Sequence, residues 1–220
     1  MTASGEGPTG PAEGAPLAVL QRIRRPEPPP PAGERCEMCA ADIPDEHSHV
    51  VDVEGRSLLC ACRPCALLFT NPGAAGGRYR TVPDRYLAVT PFELSPGQWD
   101  ELAIPVSMAF FLRSSTSGQV ACFYPGPAGA TESLLPLTAW AEMETANPAL
   151  STVEPDVEAV LVRARREGFD CYVVPIDACY ELVGTLRTQW RGFDGGAEAH
   201  GHVQAFFDHV ALRAGGAGRG

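Results

Sequence analysis

The chain has 220 residues, 45% hydrophobic and 20% charged, with a formal net charge of −10. That apolar share excludes wholesale disorder and fits one medium domain with a small companion, while the acidic balance argues against a protein that coats nucleic acid or an anionic membrane. The best uncharged apolar run, Leu102–Leu112, falls far short of the about 20 residues that a membrane-spanning helix needs.

Residues 1–33 hold eight of the 21 prolines and five glycines. Such a composition cannot bury enough apolar surface to offset its ordering entropy, so a disordered, partly polyproline-like tail is expected, with at most a helical turn over Leu17–Ile23. Glu6 and Glu13 stand where a secretory leader would carry positive charge. A cytoplasmic location follows as the expectation, and there the eight cysteines read as thiols or metal ligands rather than disulfides.

Residues 34–71 read as a small cysteine module. Cys36-Glu37-Met38-Cys39 opens it; 49–53 and 57–60 form two short strands around a turn at Glu54-Gly55. Cys62-Arg63-Pro64-Cys65 then leads into a helical turn over 66–69 that Pro72 and Gly73 stop. Residues 72–86 read as a glycine- and arginine-rich connector, and 87–213 as an α+β domain whose short sheet is packed by helices. In that domain 104–112 and 119–124 suit a hairpin, and Trp140 lies in a helix ending before Pro148. Val157, Val160, Leu161 and Ala164 recur at helical spacing between Pro155 and Gly168, predicting an amphipathic helix. A buried strand is expected over 171–174. A helix capped by Asp177 follows, with Cys179, Leu182, Val183, Leu186 and Trp190 as its apolar stripe. Gly192–Gly196 breaks the pattern before a last helix carrying Ala199, Val203, Phe206, Phe207 and Val210. Residues 214–220 read as a flexible tail.

The cysteine spacing carries the chemistry. The pairs Cys36/Cys39 and Cys62/Cys65 are separated by 22 residues, and each Cys-x-x-Cys turn aims two sulfurs at one centre. Together they supply the four soft ligands of a closed tetrahedral site in a zinc-ribbon or treble-clef module. Zinc is the favoured ion. Iron in a rubredoxin-like centre is the alternative, weakened because Ala40 and Ala66 follow the pairs where rubredoxin sites carry glycine. Cys60 is a fifth candidate ligand, or a side chain turned to the opposite strand face. His47 and His49 read as solvated loop histidines, since four thiolates already complete a tetrahedron.

Between Gly55 and Val82 lie Arg56, Arg63, Arg78 and Arg80 with no acid. This segment is either a solvated hinge or, with Arg78, Arg80 and Arg85, a contact for an anion or a protein partner; it is also the sole argument for a nucleic-acid-binding module. Cys179, beside Asp177 at a helix start, is a candidate thiol nucleophile with His200, His202 or His209 as base. The apolar stripe it begins argues for the core, as do the apolar strands around Cys122 and Cys171. No serine-nucleophile elbow, phosphate loop or zincin motif occurs.

CEMC at 36–39, LLCACRPCALLF at 58–69, GGRYRTVPDR at 76–85 and PIDACYELVGTLRTQWRGFDGG at 175–196 resemble an actinobacterial family of unknown function whose genes lie beside nickel–iron hydrogenase genes. The resemblance spans roughly residues 34–210. It implies an accessory role in hydrogenase assembly or electron delivery, with hydrogenase or its maturation machinery as partner, and it carries no assigned activity. The sequence thus points to a non-catalytic metal-binding accessory protein, with a rubredoxin-like carrier or a Cys179 thiol enzyme as alternatives.

Overall fold

A computed structural model describes residues 34–126, 129–133, 137–189 and 196–216. The expectations for 1–33, Trp190 and residues 192–195 and 217–220 lie outside these, while 214–216, expected in a flexible tail, belong to the last helix. Residues from Glu34 onward belong to one compact unit. Its elements are β1 (Ser48–Asp52), β2 (Ser57–Ala61), α1 (Arg63–Leu67), β3 (Tyr79–Thr81), β4 (Leu87–Ala88), α2 (Pro96–Glu101), β5 (Met108–Arg113), β6 (Val120–Gly126), β7 (Gly129–Ser133), α3 (Leu137–Ala146), β8 (Glu158–Ala164), β9 (Phe169–Pro175), α4 (Ile176–Gln189) and α5 (Gly196–Gly216).

The strands make two antiparallel sheets, one of order β2-β1-β3 and one of order β4-β9-β8-β5-β6-β7. The larger sheet is covered on both faces. Strand alternation sends Ala109, Phe111, Val160, Val162 and Val173 to one side, against Trp99 of α2, Trp140 and Met143 of α3, and Leu150. Met108, Phe110, Ala159, Leu161 and Val174 go to the other, against Cys179, Leu182 and Leu186 of α4 and Phe207 and Val210 of α5.

This double cover corrects the reading of 155–168. The segment is β8, paired with β5 on one side and β9 on the other, and not a helix. A central strand buried on both faces is apolar at consecutive positions, so any helical periodicity can be picked out of it. Gly168 turns the chain from β8 into β9 at φ +81° rather than capping a helix. The connector also holds more than a hinge: Tyr79–Thr81 is β3, paired with Val50–Asp52 of β1. Helix α2 starts at a reciprocal capping box of Ser95 and Gln98, a local signal that lies outside the expected elements.

The small sheet sits on the large one through β1. Val51 and Val53 pack with Val157 and Ile176, while Val50 faces the opposite way into a cluster with Cys36, Ile43, Ala61 and Ala66. At the end of β1, Asp52 accepts hydrogen bonds from the Gly55 N–H at 2.9 Å and from Arg78 Nη2 at 2.9 Å. The turn passes so close that a Cβ on Gly55 would meet Asp52 Cγ at 3.1 Å.

The Arg78 guanidinium holds the Asp52 carboxyl below its ordinary pKa. A carboxyl with a depressed folded pKa stabilises the fold at pH values above its unfolded pKa of about 3.9, and that stabilisation is lost as pH falls through the folded value. Asp52→Asn should therefore flatten the acid limb of stability below about pH 4, read as the urea midpoint against pH. An unchanged acid limb would show that this pair contributes nothing to it.

Candidate metal centre

The first cysteine pair lies in a tight turn. An isolated bridge between Arg35 and Asp42 brackets it, the Ala40 N–H donates to Cys36 O at 2.8 Å, and Ala40 takes φ +60°. The second pair opens α1. Cys62 is its N-cap residue, and Pro64 in the first turn costs no hydrogen bond there. The hairpin β1–β2 runs between the pairs and returns the second to the first; the Glu37 N–H donates to Cys60 O at 2.9 Å. Turn, hairpin and helix follow in the order of a zinc-ribbon-like or treble-clef module.

All four sulfurs of Cys36, Cys39, Cys62 and Cys65 lie within 4.8 Å of one another. A Zn–S bond of about 2.3 Å sets tetrahedral sulfur–sulfur edges of about 3.8 Å, and Cys39 Sγ and Cys62 Sγ are 3.6 Å apart. That is far beyond a disulfide bond, and all eight cysteines are free. The donor set and its spacing fit a metal ion.

Electrostatics agree with the geometry. Burial opposes ionisation of Cys36, which is 2% exposed, yet backbone N–H groups of Cys62, Met38 and Cys39 aimed at its sulfur bring its pKa down to about 6. Cys65 goes the other way, pushed up to about 12 because its thiol hydrogen-bonds to the sulfurs of Cys62 and Cys39. One thiolate forms readily and the last resists, as like charges converging on a point must. A central dication removes that resistance and ionises the whole set.

A family model described as "Family of unknown function (DUF5947)" matches residues 35–214. The chain belongs to this family. No curated protein and no solved structure matches it.

In this DUF5947 chain the other candidates fall out as follows. Cys60 groups with His47 and His49: one ring nitrogen of each and the Cys60 sulfur lie within 4.8 Å of one another. Neither histidine side chain is solvated, although His47 stays in the loop just before β1. The His47 side chain is only 7% exposed, turned onto the carbonyls of its own loop, and that of His49, in β1 and facing Asp177 of α4, is 21% exposed. Asp177, which lies inside the first turn of α4 rather than capping it, accepts from Nδ1 of His49 at 2.9 Å, a contact that no local pattern announces.

Arg78, Arg80 and Arg85 pair within the chain, with Asp52 at 2.9 Å, Glu154 at 2.7 Å and Glu158 at 2.5 Å. Cys179 is 1% exposed, and burial pushes its thiol well above the ordinary range. Cys122 is fully buried, and burial pushes its thiol up to about 12. Among the described residues no helix is long and apolar enough to cross a membrane.

Proposed function

We propose that this DUF5947 protein is a non-catalytic metal-binding accessory protein, in which Cys36, Cys39, Cys62 and Cys65 hold one structural zinc ion and the surface around it serves a protein partner. The observation that carries the reading is the convergence of four sulfurs within 4.8 Å of one another, two from a turn and two from a helix start, with Cys36 the buried one. A closed four-thiolate site leaves no open position for substrate, which is the arrangement of structural zinc.

Beside the second cysteine pair, Leu67 and Leu68 are 58% and 66% exposed. Large exposed apolar side chains at the end of the helix that carries Cys65 suit protein contact. The nickel–iron hydrogenase setting comes from the sequence resemblance. A rubredoxin-like iron carrier is the second reading, favoured by one feature: Cys39 is exposed, and a surface sulfur is what an electron-transfer partner would approach.

The test is protein purified anaerobically from native cells, washed with a mild chelator and analysed for metals. One zinc per chain without colour is expected, and one iron with thiolate charge-transfer bands would overturn the zinc assignment. Hydrogenase should mature poorly in a deletion strain and recover with the wild-type gene; normal maturation would remove that setting. Alkylation of the folded chain should spare Cys179, and rapid labelling of it at neutral pH would overturn the non-catalytic reading.

A further inference from the structure

The register of the first hairpin sets His49 directly opposite Cys60, so their side chains share one face of the small sheet. His47, two residues before His49, projects to the same side. Their rings approach to 4.7 Å between centroids, and the three donor atoms close to within 4.8 Å. This set is separate from the four-cysteine centre and shares no ligand with it.

The hydrogen bonds around the histidines prepare them as ligands. His47 Nδ1 lies 2.9 Å from Pro44 O and 3.1 Å from Asp45 O. Carbonyl oxygens only accept, so Nδ1 carries a proton, and it is Nε2 that offers a lone pair in the neutral, metal-binding ring. That Nε2 is buried and has no hydrogen-bond partner, in a side chain 7% exposed. His49 Nδ1 is likewise engaged, by Asp177 Oδ2 at 2.9 Å. Asp177 is itself held by the Ala178 N–H at 2.8 Å through its other oxygen. A carboxylate or carbonyl on one imidazole nitrogen, with the other nitrogen unengaged, is the outer-shell pattern that orients metal-binding histidines.

Both histidines line a groove of about 1110 Å³, where carboxylates including Glu34, Asp45, Glu46, Asp177 and Glu181 outnumber Arg63 and Arg213. Such a lining draws cations. Two imidazoles and a thiolate suit a borderline-soft ion such as zinc, cobalt, nickel or copper rather than magnesium or calcium.

We propose that His47, His49 and Cys60 form a second metal site for a divalent first-row transition cation, with a coordination position open toward the groove and Asp177 as the positioning residue. Three protein ligands make it the exchangeable site of the two, and it stands whether or not the four-cysteine centre holds zinc.

The experiment titrates the full chain, chelator-washed and retaining its tightly held ion, with zinc and separately with cobalt(II). One further zinc per chain is expected after equilibrium dialysis, together with a cobalt spectrum of mixed nitrogen and sulfur ligation. Cys60→Ser and the double variant His47→Gln/His49→Gln should lose the added ion while keeping the first. Asp177→Asn should weaken the added site about 10- to 100-fold, and unchanged affinity would remove Asp177 from it. No further zinc in the wild-type chain, which requires no variant to fold, would overturn the site. So would uptake that persists in both the Cys60→Ser and the double-histidine chains.

Discussion

Serine in place of Cys36 is expected to empty the four-cysteine centre and unfold the small sheet, leaving the six-stranded sheet folded. Cys36 has two roles, as a sulfur of the cluster and as a member of the apolar group that includes Val50, Ile43, Ala61 and Ala66. Five residues form the buried heart of that group, too few to hold a sheet unaided. Structural zinc contributes an apparent binding free energy of about 10–16 kcal/mol at neutral pH, as much as the whole stability of a typical domain, about 5–15 kcal/mol. The large sheet has two apolar clusters of its own and does not need the ion. Amide hydrogen exchange reads the result: the Val50 and Val51 N–H groups should lose protection in Cys36→Ser or after strong chelation, while those of Val160 and Leu161 keep it. Equal protection at all four sites in metal-free protein would show that the cysteine centre contributes no folding energy.

The second large effect is expected at Arg85. Its partner Glu158 is fully buried at the start of β8, next to the apolar run Ala159, Val160, Leu161 and Val162, which is buried as completely. The carboxylate accepts Arg85 Nε at 2.6 Å and Nη2 at 2.5 Å, and the Glu154 N–H at 2.8 Å. Glu158 itself is at 0% exposure while Arg85 reaches the surface at 39%, so removing Arg85 takes the counter-charge from a carboxylate that sits in the interior. Arg85→Ala should destabilise by about 3–5 kcal/mol, whereas Arg85→Met with Glu158→Leu, which removes both charges, should recover most of that loss. Urea unfolding of the two single variants and the double variant gives the coupling directly. A loss below about 1 kcal/mol in Arg85→Ala would mean that the pair behaves as a surface ion pair.

Much of this architecture was readable from residues. The paired cysteines, the hairpin between them, the strand over 171–174 and the helices carrying Trp140 and Leu182 all follow from spacing and periodicity. What escaped did so for stated reasons. β8 is apolar at consecutive positions because helices cover both faces of its sheet, and a run of that kind has no period to read. β3 is three residues of mixed polarity whose strand character comes from β1 beside it. The histidine–cysteine group is a different kind of miss, since its signal was present. A hairpin turn centred on Glu54-Gly55 already sets His49 across from Cys60, and a histidine two residues earlier falls on the same face. Treating the histidines as loop residues because the metal site was already full discarded that geometry. Asp177 could not be found this way, as it lies 128 positions from His49 in the chain.

The alternation along β1 also protects the chain against mispairing. Val50 belongs to one apolar cluster and Val51 to another on the opposite face. Sliding β1 by a single residue against β2 would exchange these faces. It would carry Val51 away from Val157 and Ile176, pull Val50 out from under the cysteines, and take His49 off Asp177, all at once. Most hairpins are held in register by one buried face; this one is checked by two, so a slipped form gains nothing on either side to compensate for what it loses.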